Sequence, residues 1–281
     1  VIIAKRKRLF NDEIIEKRIK EGRGKGEGDK YKPWITVRDI SSIGRCTEVT
    51  GWKTNGRIHQ LLSGLESKYF YTLEWSSVVI DIREQYPLLD EFNSYEETLK
   101  IADNIGVKYS KIPFSNSYNV MTTDFLITIN LGNGKTELKA RTVKYANELK
   151  KIRVIEKLEI ERLYWEKRNV DWKIVTEKDI NKILAYNVEL IHNYKSLKGL
   201  NIDQQTVKMV EALLKENSNL NISFTELANK IDVILNLEIG TSMAIIKYLI
   251  ANKHIKINMK KRWDTSKPIQ FIDRDELPLN E

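Results

Sequence analysis

Cysteine, histidine and proline are scarce in this chain. Cys46 is the only cysteine, so no disulfide can close within the chain, and a reducing, cytoplasmic setting is expected. The three histidines, His59, His192 and His254, lie far apart and leave too few ligands for a Cys/His zinc site. Any catalytic metal would have to be a hard cation held by carboxylates, and the expectation is Mg2+. No apolar run approaches the roughly 18 residues that a membrane helix needs, and no signal-peptide pattern opens the sequence. No membrane partner is expected.

What is present suits a globular protein. Of 281 residues, 41% are hydrophobic and 31% are charged, enough for a real core. At roughly 100–200 residues per domain the length predicts two domains. The net charge is +8, and residues 1–60 hold fifteen basic and eight acidic side chains, so nearly all of the excess sits at the front. The cations there include Lys5, Arg6, Lys7, Arg8, Lys17, Arg18, Lys20, Arg23 and Lys25. Such a concentration is the footprint of a phosphate-contacting surface, with a solvated basic tail as the alternative.

Along the chain, residues 1–21 read as a basic, partly helical arm, followed by a flexible Gly-rich loop from Glu21 to Gly28. That loop is no Walker-type phosphate loop, because no Gly-Lys-Ser/Thr closes it. Gly134-Lys135-Thr136 is rejected too, since Ile129 stands where the first glycine belongs. Apolar residues Ile58, Leu61, Leu62, Leu65 and Tyr69 fall at helical spacing, with Glu66 at the flank of their stripe. Ser77 to Ile82 reads as a buried strand and Pro87 ends the extended segment. Asp124 to Asn130 and about Thr136 to Lys144 flank Gly132-Asn133-Gly134, a strong hairpin signal. A helix is expected from about Asn147 to Arg168, with Leu149, Ile152, Ile155, Leu158 and Leu163 on its inner face. A short strand at Trp172 to Val175 implies a parallel pair in a mixed sheet. The fold class is therefore α/β for residues 1–177. Residues 178–281 are mostly helical: Ser223 and Glu226 form a capping-box signature, and a helix covers about Thr241 to Asn252. A terminal hairpin, from Ile255, Ile257 and Met259 through Lys260-Lys261-Arg262 to Ile269–Ile272, would complete a winged helix.

A hairpin centred on Asn133 sets Asp124 opposite Thr142, and Lys144 lies two residues further on the same face. An acid, a hydroxyl and a lysine would thus meet at one end, with Glu66 arriving from the preceding helix. That set suits metal-assisted phosphodiester hydrolysis. The rival Glu137-Leu138-Lys139 pairs opposite Ile129, roughly 17 Å from Asp124 along the strand, and its charged side chains point to the other face. Taken alone the pattern is weak, because a chain this charged contains many acids followed by x-x-Lys.

Longer segments add specificity. KRIKEGRGKGEGDKYKPW (Lys17 to Trp34), GRIHQLLSGLE (Gly56 to Glu66), LEWSSVVIDIREQYPLL (Leu73 to Leu89), MTTDFL (Met121 to Leu126), TVK (Thr142 to Lys144) and EKLEIERLYW (Glu156 to Trp165) follow one another at spacings that resemble the TnsA family. This family is the endonuclease subunit of transposons that use separate TnsA, TnsB and TnsC proteins. The resemblance implies a restriction-endonuclease-like N-terminal domain and a partner-binding winged-helix C-terminal domain. It also implies Mg2+-dependent cleavage of double-stranded DNA at the 5′ ends of the transposon, with a TnsB-type transposase and a TnsC-type ATP-dependent regulator as partners. The family's helix glutamate falls on Glu66, its strand aspartate on Asp124 and its lysine on Lys144. Thr142 stands where glutamine is common in the family; a hydroxyl is a shorter and poorer metal ligand, and a water or the carbonyl of Val143 can substitute.

Among the other residues, His59 is expected to be packed or DNA-facing rather than a base. Glu159 and Glu161 are expected at the surface or supporting the site from behind. Trp52, Trp75, Trp165 and Trp172 read as packing residues. The Thr241–Asn252 helix has Lys247 as its only basic residue, too few base-reading side chains for a recognition helix. A stand-alone restriction or repair nuclease and a catalytically silent DNA-bridging subunit remain as the other readings.

Overall fold

The computed structural model describes residues 12–39, 45–111, 117–217 and 221–268. The chain divides between Ile180 and Asn181 into two compact units, where the sequence places a boundary after residue 177.

The first unit opens with α1 (Asp12–Lys20). A small antiparallel pair, β1 (Thr47–Thr50) and β2 (Ile58–Leu61), leads into α2 (Gly64–Trp75). Then come β3 (Val79–Pro87), α3 (Glu96–Asn104), β4 (Thr122–Gly132), β5 (Lys135–Val143), α4 (Ile152–Glu166) and β6 (Asp171–Val175). The sheet runs β3-β4-β5-β6, with β5 and β6 parallel and the other neighbours antiparallel. The parallel pair follows from α4, a connection long enough to return the chain in the same direction. The α/β class and the mixed sheet match the sequence reading.

The β4–β5 hairpin has the expected register: Phe125 faces Arg141, Leu126 faces Ala140 and Ile129 faces Glu137. A bulge between Asn130 and Gly132 absorbs the turn, where Gly132, Asn133 and Gly134 all hold positive φ, a conformation that glycine and asparagine adopt at least cost. Leu126 and Ala140 join Ile101 and Ala102 of α3 and Ile160, Tyr164 and Trp165 of α4 in one buried cluster. That core fixes α4 against the sheet.

Three local expectations need correcting. Residues 58–61 form β2, so the helix starts at Gly64 and not near Arg57. The cause is a cap: the Ser63 hydroxyl accepts from Glu66 N–H at 3.1 Å, and the Glu66 carboxylate accepts from Leu62 N–H at 2.9 Å. This is close to a capping box, which fixes a helix N-terminus. Second, α4 begins at Ile152, and Ile152 and Ile155 are exposed rather than inward. Its buried face is Leu158, Ile160, Glu161, Tyr164 and Trp165, so a buried acid stands where periodicity looked for apolar residues. Third, the Gly-rich loop is packed, not free. Gly24 N–H bonds Lys32 O, Gly28 N–H bonds Asp81 Oδ1 at 3.2 Å, and Gly24 sits against the Pro87 ring where a Cβ has no room.

The second unit contains α5 (Lys182–Ile191), α6 (Gln204–Glu216), α7 (Phe224–Ile234) and α8 (Thr241–Ala251). Ser223 caps α7 through Glu226 N–H at 3.1 Å, as its signature requires. Ile245, Ile246, Leu249 and Ile250 bury α8 in the centre of this unit. No strand spans residues 252–268; Ile255 and Ile257 are buried, Ile257 makes a single bridge, and residues 259–260 form a turn. The expected return strand, Ile269–Ile272, lies outside the described residues. Asn187 of α5 clamps the segment instead, donating to Met259 O and Lys261 O and accepting from Trp263 N–H at 2.8 Å.

No helix among the described residues is long and apolar enough to cross a membrane.

Candidate active site

Three elements converge on one cluster. From the β4 end of the hairpin, Asp124 Oδ2 accepts from Val143 N–H at 2.7 Å and from Lys144 Nζ at 2.9 Å. Lys144 Nζ also donates to Val143 O at 3.0 Å. From α2, Glu66 presents a carboxyl that is 6% exposed. Its Oε2 is held by Leu62 N–H and by Gln85 Nε2 at 3.2 Å. Gln85 itself lies between the β3 residues that pair with β4, buried and with φ +49. Holding a non-glycine residue in the left-handed region costs on the order of 1 kcal/mol, and here it turns the amide onto Glu66.

From α4, Glu161 is 3% exposed and its Oε1 collects three donors: Thr123 Oγ1 at 2.6 Å, Trp172 Nε1 at 3.0 Å and Thr142 Oγ1. Trp165 Nε1 in turn donates to Thr123 Oγ1. The hydroxyl of Thr142 is therefore committed to Glu161. Of the two glutamates expected at the surface or behind the site, Glu159 pairs with Arg162 outside and Glu161 lies behind it. Glu161 was readable as the one acid in line with Leu158 and Trp165, had burial of an acid been allowed.

The electrostatics show an excess of acid. Burial, reinforced by the charge of Asp124, pushes Glu66 up to about 7. Burial and the same charge push Glu161 up to about 7, although its hydroxyl and indole donors pull the other way. Burial disfavours the charged form of Lys144, yet Asp124 beside it, with Glu161 and Glu66, holds the ammonium above its ordinary value. One lysine cannot neutralise three buried carboxyls, so burial and the neighbouring charge favour the protonated forms of Glu66 and Glu161. Asp124 Oδ1 and Glu66 Oε1 take no hydrogen bond among the described residues and are not sealed from solvent. Two carboxylate oxygens open to a cation fit a hard ion. No group of three His, Cys, Asp or Glu side chains with ligand spacing occurs among the described residues.

The rejected motif lies elsewhere: Glu137 faces Ile129, and Lys139 bonds Glu137 and Asp171. His59 is fully buried on β2, between Thr54 and Glu84, so it is a packed histidine. Of the basic front, Lys5 to Arg8 lie outside the described residues. Lys17, Lys20 and Lys25 are exposed. Arg18 and Arg23 differ in kind: Arg18 is 5% exposed, stacks over Trp34 and pairs with Asp39 at 3.5 Å. Arg23 binds Asp39 at 2.7 Å, Glu21 at 2.9 Å and Trp34 O at 3.2 Å. Both are spent on fastening the segment that follows α1.

Comparison with known proteins gives the class. Residues 76–177 match the family described as TnsA-like endonuclease N terminal, and residues 179–259 match TnsA endonuclease C terminal, so the chain is an endonuclease. Over 265 residues it is 37% identical to the Transposon Tn7 transposition protein TnsA of Escherichia coli, covering 94% of this chain and 93% of the relative. The chain belongs to the TnsA family.

Proposed function

We propose that this chain is the Mg2+-dependent endonuclease subunit of a TnsABC-type transposase. In this reading it hydrolyses the phosphodiester at the 5′ ends of the transposon. The observation that carries the reading is the salt bridge of Lys144 to Asp124 at 2.9 Å, with Glu66 close enough to feel the Asp124 charge. Glu66 and Asp124 hold the metal, with the Val143 carbonyl as a further oxygen donor. When bound, Mg2+ supplies Lewis-acid polarisation of the phosphate and activation of water.

The chain's own groups do the rest. Lys144 stays protonated at neutral pH, because its acidic surroundings outweigh burial, and directs its ammonium at the charge developing on the phosphate. Val143 N–H fixes Asp124 Oδ2, and Gln85 with Leu62 N–H fixes Glu66 Oε2, leaving the other oxygens to face the reaction. Thr142 acts through Glu161, tying α4 to β5. Double-stranded DNA is drawn in by the basic front through Lys17, Lys20 and Lys25, with Lys5, Arg6, Lys7 and Arg8 beyond the described residues.

The helical unit serves as a docking part for a TnsC-type regulator. Its α8 is too buried to read a groove, so sequence recognition falls to a TnsB-type transposase. Action on bacterial DNA places the protein in the cytoplasm.

The test is a strand-specific cleavage assay with Mg2+, partner proteins and Glu66→Ala, Asp124→Ala and Lys144→Ala. Loss of 5′-end cutting with 3′-end cutting retained supports the reading. Unchanged products would show a catalytically silent bridging subunit, and robust site-specific cutting by the purified chain alone would show a stand-alone nuclease.

A further inference from the structure

The second unit is nearly neutral except at one place. Residues 181–246 hold six basic and seven acidic side chains, whereas residues 247–268 hold seven basic and one acidic. Part of that charge lines a cavity of about 590 Å³ whose walls include Tyr186, Lys247, Arg262, Trp263, Asp264 and Lys267. The Arg262 guanidinium lies 4.2 Å from the centroid of the Tyr186 ring, and Lys247 Nζ lies 4.6 Å from that of Tyr194. A ring face attracts a cation but offers no oxygen lone pair. Neither Arg262 nor Lys247 has a carboxylate partner among the described residues. Trp263 is 8% exposed, and its Nε1–H likewise finds no acceptor among the described residues. The acid on the wall, Asp264, is committed. Its Oδ1 accepts from Ser266 N–H at 3.0 Å and from Ser266 Oγ at 2.6 Å, and its Oδ2 lies 3.6 Å from Lys267 Nζ. The cavity therefore has donors in surplus.

We infer that this cavity binds a backbone phosphate of duplex DNA, held by Arg262 and Lys247 with the exposed Lys267 beside them. The inference rests on the proposed DNA substrate and gives the helical unit a contact that the basic front does not supply. The donors are set before any ligand arrives. Trp263 packs on Phe224 with ring centroids 5.3 Å apart. Phe224 N–H bonds Lys267 O and Thr225 N–H bonds Thr265 O, both at 3.0 Å, while Asn187 clamps Met259, Lys261 and Trp263. A turn fixed at both ends loses little freedom on binding. Duplex DNA suits the basic stretch better than an acidic peptide does. A strand carries a phosphate about every 3.4 Å, whereas a peptide needs an unbroken run of carboxylates to match it. Phosphate contacts fix position without reading bases, which agrees with an α8 too buried to enter a groove.

The experiment measures binding of the full-length chain, with its partner proteins and without Mg2+, to duplex DNA over a range of salt. Arg262→Gln should weaken binding several-fold and lower the salt slope by about one; adding Lys247→Gln should lower it by about two in all. The loss should be equal on transposon-end and unrelated duplexes and partly recovered in Arg262→Lys. It should be absent in Lys208→Gln on α6, outside the cavity wall. Melting temperatures should not change. Weakened association of Arg262→Gln with the partner proteins, at an unchanged salt slope, would make the cavity a protein-docking surface and overturn the inference. Duplex binding that is absent in the unsubstituted chain sinks the DNA reading and this inference together. Binding whose affinity and slope both variants leave intact sinks this inference alone.

Discussion

Two buried acid clusters in the same unit behave in opposite ways. Glu84 of β3 is fully buried and receives both arms of Arg57 at 2.8 Å, His59 Nδ1 at 2.7 Å and Gln60 N–H at 3.1 Å. Burial alone would raise its affinity for protons, but His59 and Arg57 bring it down to about 2. Glu66, with Lys144 as a weaker opposing charge, is pushed up to about 7 by burial and by Asp124. A structural acid is matched by donors and cations until its charge is comfortable. Glu66, Asp124 and Glu161 are left in excess over Lys144, an imbalance that the proposed metal ion and phosphate would resolve.

The largest expected effect is on stability. Glu84→Gln strands Arg57 in the interior, and loss of one partner of a buried pair costs about 3–5 kcal/mol; urea denaturation should show it, and an unchanged midpoint would break the contrast. Next, Asp124→Asn should cut 5′-strand cleavage by roughly 10²–10³-fold while leaving the urea midpoint the same or higher. A destabilised Asp124→Asn would make this cluster structural like the other.

The pH dependences should run in opposite senses. Glu84 is lowered from 4.5 to about 2, so its contribution to stability is present above about pH 4.5 and lost as pH falls through 2. Glu161 is raised to about 7, so its contribution is full below about pH 4.5 and lost as pH rises through 7. Glu161→Gln keeps the oxygen that takes all three donors but cannot ionise. Its stability relative to wild type should therefore improve between pH 5 and pH 8, by on the order of 1 kcal/mol or more. Melting curves at the two pH values check this, and parallel shifts would sink it.

The smallest effects concern the basic front. Lys17→Gln should lower DNA affinity modestly and the salt slope by about one, leaving melting unchanged. Arg18→Gln should lower the melting temperature and leave the salt slope alone, because its guanidinium is spent on Asp39 and Trp34.

Periodicity and turn chemistry made much of the first unit legible. Alternation around Gly132-Asn133-Gly134 set the hairpin register residue by residue, because a slip by one would reverse every side chain. Pro87 closed β3, and Ser223 opened α7. The failures share a cause. Leu158, Glu161 and Trp165 form the inward stripe of α4, but an acid on that stripe looks polar until three donors are seen around it. Ser63 and Glu66 already carried the helix-start signal, yet the apolar spacing that began at Ile58 outweighed it. The Gly-rich loop looked free because its packing partners, Pro87 and Asp81, lie far along the chain.

Local sequence alone determined the β4–β5 hairpin, its turn and the cap of α7, since each depends on neighbours within a few residues. Only the tertiary structure decided which charges are spent. Arg18 and Arg23 went to Asp39, Arg57 and His59 to Glu84, and Thr142 to Glu161, while Glu66, Asp124 and Glu161 share Lys144 as the cation beside them. Burial and pairing are set by contacts tens of residues apart, and it is burial that raises the proton affinity of an ordinary carboxyl.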